Sequence, residues 1–270
     1  MIADRVSLTD THCHLDFNAF DDDREAVIEK AREAGLERIL VPGIDLETSR
    51  NAIALADRYP DVYAAVGIHP NSALSWEHSS VDALAELAHH PKVVAIGEIG
   101  LDYYRLGAPA EKQKEVFRAQ LCLAGDLGLP VIIHNRDASA DILPIVSDWR
   151  NELMEIKPRL AGEPGVFHSY SGDRSTAEQI LAERFYIGIT GPVTFRNAAI
   201  LQQIVAAMPL DRLLLETDAP FLTPHPHRGK RNEPAHICLI AGKIAELRSV
   251  DIASVAQSTT QNAARLFHWR

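Results

Sequence analysis

Cysteine is scarce: Cys13, Cys122 and Cys238 are the only three in 270 residues, widely spaced and without a Cys-x-x-Cys pair. An odd number at such spacing argues against a disulfide framework, a zinc knuckle or a dithiol redox motif, so reduced thiols and a cytoplasmic location are expected. Long apolar runs are also missing, none approaching the roughly eighteen residues of a membrane span. Met1-Ile2-Ala3-Asp4-Arg5 puts charge where a secretory signal needs its apolar core, so neither export nor membrane insertion is expected. There is no Gly/Ser linker, low-complexity tract or break in composition, which favours one domain over 1–270. Positive charge is the minority: 27 Lys and Arg against 37 Asp and Glu leave a formal net charge of −10. As a whole the chain repels nucleic acids and anionic surfaces. A polyanionic substrate then requires local positive charge or bound metal.

What is present is an ordinary globular composition, 46% hydrophobic and 24% charged. Short β-branched runs at Val6–Asp10, Arg38–Val41, Val62–Val66, Val93–Ile99, Val131–His134, Gly165–His168, Phe185–Ile189 and Leu213–Thr217 read as strands. Between them, stretches such as Asp22–Ala34, Leu46–Tyr59, Val81–His89 and Glu111–Leu127 carry apolar residues at helical spacing. Ser147–Pro164 resists any single period, and Pro234–Leu266 reads as two helices with Asp251 capping the second. Eight βα pairs over 270 residues leave about 34 residues per unit, which suits a single-domain (β/α)8 TIM barrel.

In such a barrel the active site gathers at the C-terminal ends of the strands. His12 and His14 follow the first strand two residues apart, a spacing that turns both to one face, where they can meet one cation. Glu98 interrupts the apolar run Ile96-Gly97-Glu98-Ile99-Gly100, where an unpaired carboxylate is costly to bury. His134 and His168 close two successive strands at equivalent points, and Asp218 ends the apolar run of the eighth. Taken singly, each has a bland alternative: a loop histidine, a salt-bridged strand-end Glu, a hydrogen-bonded core histidine, a helix cap. Taken together, four imidazoles and two carboxylates at one barrel mouth suit Zn²⁺, Mn²⁺ or similar ions such as Mg²⁺. Six ligands exceed what one catalytic ion needs, so two divalent ions with Glu98 bridging are expected.

These residues lie in segments that resemble the TatD-type metal-dependent deoxyribonucleases, within the amidohydrolase-like barrels. The resemblance is carried by Asp10-Thr11-His12-Cys13-His14-Leu15-Asp16, Val66-Gly67-Ile68-His69-Pro70, Gly97-Glu98-Ile99-Gly100-Leu101-Asp102-Tyr103, Glu111-Lys112-Gln113 and Pro130-Val131-Ile132-Ile133-His134. It continues through Phe167-His168-Ser169-Tyr170-Ser171-Gly172, Ile189-Thr190-Gly191-Pro192-Val193-Thr194-Phe195, Glu216-Thr217-Asp218-Ala219-Pro220 and Arg231-Asn232-Glu233-Pro234, nearly the whole chain. It implies a barrel hydrolase acting on DNA as a 3′→5′ exonuclease that prefers single strands. By the same resemblance His12, His14 and Asp218 hold one ion and His134 and His168 the other, with Glu98 between.

Two ions can clamp a phosphodiester and activate water, with Asp218 expected to orient and deprotonate it. His69, Tyr103, Arg136 and Arg228 are the expected substrate contacts. Arg105 is a further phosphate contact, and Tyr104, Phe195 and Phe221 offer rings to an unpaired base. Asp10 and Asp16 are expected to orient ligand histidines. Two alternatives stay open: another amidohydrolase-like hydrolase (lactonase, cyclic amidase or deaminase), or a non-catalytic metal-binding scaffold. Oligomeric state is left open, a monomer being admissible.

Overall fold

The β-branched runs become eight parallel strands, hydrogen-bonded in chain order, with helices filling the connections. The computed structural model describes residues 6–269, so the reading of Met1–Arg5 lies outside the described residues. The strands are β1 (Leu8–Asp10), β2 (Leu36–Pro42), β3 (Val62–Val66), β4 (Val93–Asp102), β5 (Val131–Arg136), β6 (Gly165–Phe167), β7 (Tyr186–Ile189) and β8 (Leu213–Leu215). The helices are α1 (Arg24–Glu33), α2 (Leu46–Arg58), α3 (Ser80–Ala88), α4 (Ala110–Leu127), α5 (Ser139–Ile156), α6 (Pro158–Gly162), α7 (Arg174–Ala182), α8 (Ala199–Ala207), α9 (Ile237–Arg248) and α10 (Ile252–Phe267). The result is a single-domain TIM-like barrel. No helix among the described residues is long and apolar enough to cross a membrane.

Local chemistry sets the element ends. Asp45 and Thr48 form a reciprocal capping box on α2, and Asp251 accepts from the Ser254 N–H at 2.6 Å to start α10. The stretch without a single period proves to be helical through Trp149, whose ring is buried, and Pro158 opens a new helix at its first position, where a missing N–H costs nothing. β4 runs beyond the expected Ile99 because Gly100, Leu101 and Asp102 stay in register with His134, Asn135 and Arg136 of β5. Gly100 makes this possible: its φ is +141°, and a Cβ there would lie 2.0 Å from the His134 carbonyl oxygen.

The barrel seam is short. β1 and β8 contain three residues each, against the longer runs expected at Val6–Asp10 and Leu213–Thr217. Past them the chain turns to side-chain partners: Asp10 Oδ1 accepts the Thr217 and His12 N–H groups, and its other oxygen takes the Thr217 hydroxyl. The two segments continue side by side through Thr11 N–H to Leu215, Asp218 N–H to His12 and His14 N–H to Ala219. This seam brings Asp218 beside His12 and His14.

Apolar burial divides in two. The larger cluster lies between strands and helices, while a smaller one joins Leu40, Ala65, Ala95, Ile132, Val166, Tyr186 and Leu214, one residue from each of β2 to β8. That inner cluster includes Ala263, Leu266 and Phe267 of α10, with Trp269 packed on Tyr63 at the start of β3. α10 therefore plugs the N-terminal end of the barrel, leaving the C-terminal end for the polar residues.

Candidate metal centre

Glu98 is the hub. The β4–β5 ladder slips between Ile96 and Ile99, and the Glu98 N–H donates to the Gly43 carbonyl instead of pairing with β5. Such a slip re-aims a side chain. The Glu98 carboxylate lies 2.8 Å from His134 Nδ1, 3.3 Å from His12 Nε2, 3.6 Å from His69 Nε2 and 3.8 Å from His14 Nε2. Across from it, Asp218 Oδ1 lies 3.6 Å from His14, 3.7 Å from His168 and 3.9 Å from His12. Three groupings place metal-ligating atoms within 4.8 Å of one another: His12, His14 and Glu98; His12, His168 and Asp218; and His69, Glu98 and His134. The expected pairing of His134 with His168 is not how these rings cluster. His168 stacks on His12 with centroids 3.4 Å apart, on the β1–β8 side, whereas His134 is held on the β4 side by Glu98 and Asp102.

Two acids that the sequence reading left without a role orient these rings. Glu216 receives His168 Nδ1 and the Ser169 N–H, both at 2.9 Å, and a Cβ on Gly188 would fall 2.2 Å from either Glu216 oxygen. Gly188 is glycine so that this carboxylate can reach His168. Asp102 takes His134 Nε2 at 3.2 Å, the Asn71 amide at 3.1 Å and the Tyr104 and Arg105 N–H groups. Both were visible as acids in apolar strand ends, Glu216 between Leu215 and Thr217 and Asp102 after Leu101. The expectation that Asp10 and Asp16 do this work fails. Asp10 holds the His12 backbone rather than its ring, and both Asp16 oxygens are buried without a hydrogen-bond partner among the described residues.

A cavity of about 450 Å³ opens over the cluster, bordered by Phe17, Phe221, His69, Tyr104, Arg105 and Arg136. Tyr103 is not among its lining residues. Its hydroxyl donates to Asp141 at 2.6 Å, while Tyr104, the next residue of the turn that follows β4, takes the cavity side. Arg228 also lies outside the cavity wall, its guanidinium 4.0 Å from the centre of the Phe195 ring.

Residues 9–268 match the family model described as TatD related DNase. The chain belongs to that family. It is 44% identical over 96% of its length to an uncharacterized metal-dependent hydrolase, YabD, of Bacillus subtilis, covering 98% of that protein. It is 37% identical, over 96% of its length and 98% of the relative's, to the 3′-5′ ssDNA/RNA exonuclease TatD of Escherichia coli K12. Among solved structures, the TatD homologue YJJV of E. coli K12 superposes with a TM-score of 0.88 at 33% identity, covering 97% of this chain and 98% of that one. This chain is thus a metal-dependent hydrolase of the TatD family.

Protonation in this TatD-family centre follows burial first. Burial pulls His12 well below the usual imidazole range, His14 to about 4 and His69 to about 3, against the opposing pull of Glu98. Burial acts on His168 in the same sense, but the Glu216 carboxylate outweighs it and lifts the ring to about 9. Burial also works against the Glu98 charge, and the surrounding His69, His12 and His134 rings outweigh it, holding the carboxyl well below its usual value. At Asp218 burial prevails over the opposing pull of His168, with Glu98 and Glu216 adding to it, and raises the carboxyl to about 7.

The donor set fits divalent metal. Neutral His12 and His14 bring their Nε2 atoms within 3.3 Å of each other, while the buried His12 Nδ1 has no hydrogen-bond partner among the described residues. With Glu216 accepting from His168 Nδ1 and Asp102 from His134 Nε2, the nitrogens turned toward the cluster are His168 Nε2 and His134 Nδ1, where a bound cation would take the place of a proton. Imidazole lone pairs and carboxylates converging in a buried space demand a cation. His69 differs: its Nδ1 accepts the Asn71 N–H at 3.1 Å, which leaves Nε2 as a donor toward Glu98 or a phosphate oxygen.

Asp218 has a consequence for stability. Folded, it keeps its proton to about 7, against an ordinary value of 3.8. Between those values the folded chain binds more protons than the unfolded one, so this group's contribution falls as pH rises. Metal-free Asp218→Asn protein should therefore gain stability relative to metal-free wild type as pH goes from 4 toward 7, measured by urea unfolding. A flat or inverted difference contradicts the assignment.

Proposed function

We propose that this protein is a divalent-metal-dependent nuclease that removes nucleotides from the 3′ end of single-stranded DNA. The observation that carries the proposal is the convergence of His12, His14, His69 and His134 on the Glu98 carboxylate, with Asp218 and His168 across from it. His12, His14, Glu98, His134, His168 and Asp218 would hold two ions, with Glu98, common to two of the three groupings, shared. Zn²⁺, Mn²⁺ and Mg²⁺ all suit this nitrogen and oxygen set. Ions bound there supply Lewis-acid charge to a phosphodiester and lower the pKa of water.

The chain's own residues do the rest. Asp218, whose Oδ1 faces His14 and His168 across the cluster, would take the proton of an attacking water. As the water oxygen bonds to phosphorus, the bond to the 3′ oxygen breaks, and the released nucleotide keeps a 5′ phosphate. His69 Nε2 donates to a phosphate oxygen, and the Arg105 and Arg136 guanidiniums on the cavity wall meet its charge. The cavity, about 450 Å³, matches a ligand of nucleotide size.

Metal-loaded protein is expected to shorten a 5′-labelled single strand stepwise from its 3′ end, to leave duplex ends largely intact, and to stop on chelation. Because curated TatD relatives are described as acting on ssDNA and RNA, an RNA strand belongs in the same assay. If the protein spares every strand and opens a lactone or cyclic amide instead, the nuclease reading is wrong.

A further inference from the structure

Many cations in this acidic protein are neutralised: Lys30, Arg32, Arg150, Arg212, Arg231 and Lys243 each lie within 4 Å of a carboxylate. Another group sits at the C-terminal end of β5 and on the loops that follow β4, β7 and β8. Arg105, Arg136, Arg196, Arg228 and Lys230 are all exposed, and no carboxylate pairs with any of them among the described residues. Two of them lie on aromatic rings from the neighbouring loop: Arg136 is 5.0 Å from the Tyr104 centroid and Arg228 is 4.0 Å from that of Phe195. The first pair borders the cavity; the second stands beyond its rim.

We propose that Arg228 and Phe195 form an outer nucleotide subsite, which grips the strand beyond the dinucleotide at its 3′ end, farther to the 5′ side of the nucleotide held over the metal centre. This rests on the nuclease reading above. An arginine lying flat on a ring keeps its N–H edge free for phosphate, while ring and guanidinium plane together offer a surface to an unpaired base. The pair is held in place relative to the cavity. The Phe195 carbonyl accepts the Gln202 amide at 3.0 Å, the His225 N–H donates to Thr194 at 2.8 Å, and a Cβ on Gly191 would lie 1.9 Å from the carbonyl of Leu222. Leu222 itself lines the cavity, so the β7 and β8 loops carry one continuous surface from metal centre to subsite. With the 3′ end in the cavity, the strand leaves over Arg228.

A subsite beyond the rim is felt by long substrates. The test compares kcat/KM of metal-loaded protein on a long single-stranded oligonucleotide and on a dinucleotide, with binding of the long strand followed by fluorescence anisotropy. Arg228→Ala should cut the preference for the long strand about tenfold, mainly through KM, the size of one lost stacking and phosphate contact. The slope of log affinity against log salt should become shallower by about 0.7. Arg228→Lys should keep the salt slope and recover only part of the preference, since it keeps charge and loses the plane. Arg136→Ala, on the cavity wall, should lower both substrates together. If wild type cleaves both substrates and Arg228→Ala leaves their ratio unchanged, the subsite is overturned and the nuclease reading stands. If wild type cleaves neither but binds the long strand through Arg228, the subsite stands and the proposed chemistry falls. If it neither binds nor cleaves, both fall.

Discussion

Asp218→Ala protein, folded and loaded with metal, should turn over single-stranded DNA at least about 10³-fold more slowly than wild type, with a smaller change in KM. Asp218 is asked to act twice: its Oδ1 lies within 4 Å of His12, His14 and His168, where it would both hold cation and take the proton of the attacking water. Removing a group that both holds cation and moves a proton takes out part of a coupled unit, so most of the loss appears at once. Asp218→Asn separates the roles, since an amide oxygen can still donate a lone pair to cation but cannot take the proton. It should retain more metal than the alanine variant and recover little rate. Single-turnover cleavage with metal content measured on the same samples checks this, and near-wild-type turnover in either variant would remove Asp218 from the mechanism.

Asp10→Ala should cost about 3 kcal/mol of stability, lowering the urea midpoint and bringing Tm down by about 6–12 °C. Asp10 is fully buried, and burial pushes its carboxyl up to about 7 even though three donors reach it. Those donors are the His12 and Thr217 N–H groups and the Thr217 hydroxyl, which join β1 to β8 where the ladder between them has run out. Alanine leaves all three donors without their acceptor in a fully buried site. Asparagine keeps one acceptor and should lose roughly half as much. A loss within about 0.5 kcal/mol for Asp10→Ala, the scale of an ordinary surface change, would mean that the seam does not depend on this carboxylate.

The residues that converge were legible because barrel topology makes equivalent strand ends neighbours. His134 and His168 could be matched by their place at the ends of successive apolar runs, and Glu98 and Asp218 by the cost of an acid in such a run. What stayed hidden depends on register and on partners distant in the chain. Tyr103 and Tyr104 are adjacent in the turn that follows β4, and which of them lines the cavity goes with the partner that Tyr103 finds in Asp141, distant in the chain. The division of ligands was also out of reach. It follows from His168 stacking on His12 and from Glu216 and Asp102, acids whose roles appear only once Gly188 and Asn71 are beside them. Asp16 misled because a motif acid next to a ligand was taken for its partner, when its carboxylate is buried on its own.

The helix that stoppers the barrel floor bears on the order of events. Leu266, Phe267 and Trp269 pack at the far end, opposite the cavity that opens over Glu98. On the proposed nuclease reading, a cut nucleotide would depart past the very strand it was cut from, and that strand would have to lift or slide before its new end could settle. Exchange at the entrance would then belong to every catalytic cycle alongside bond breaking.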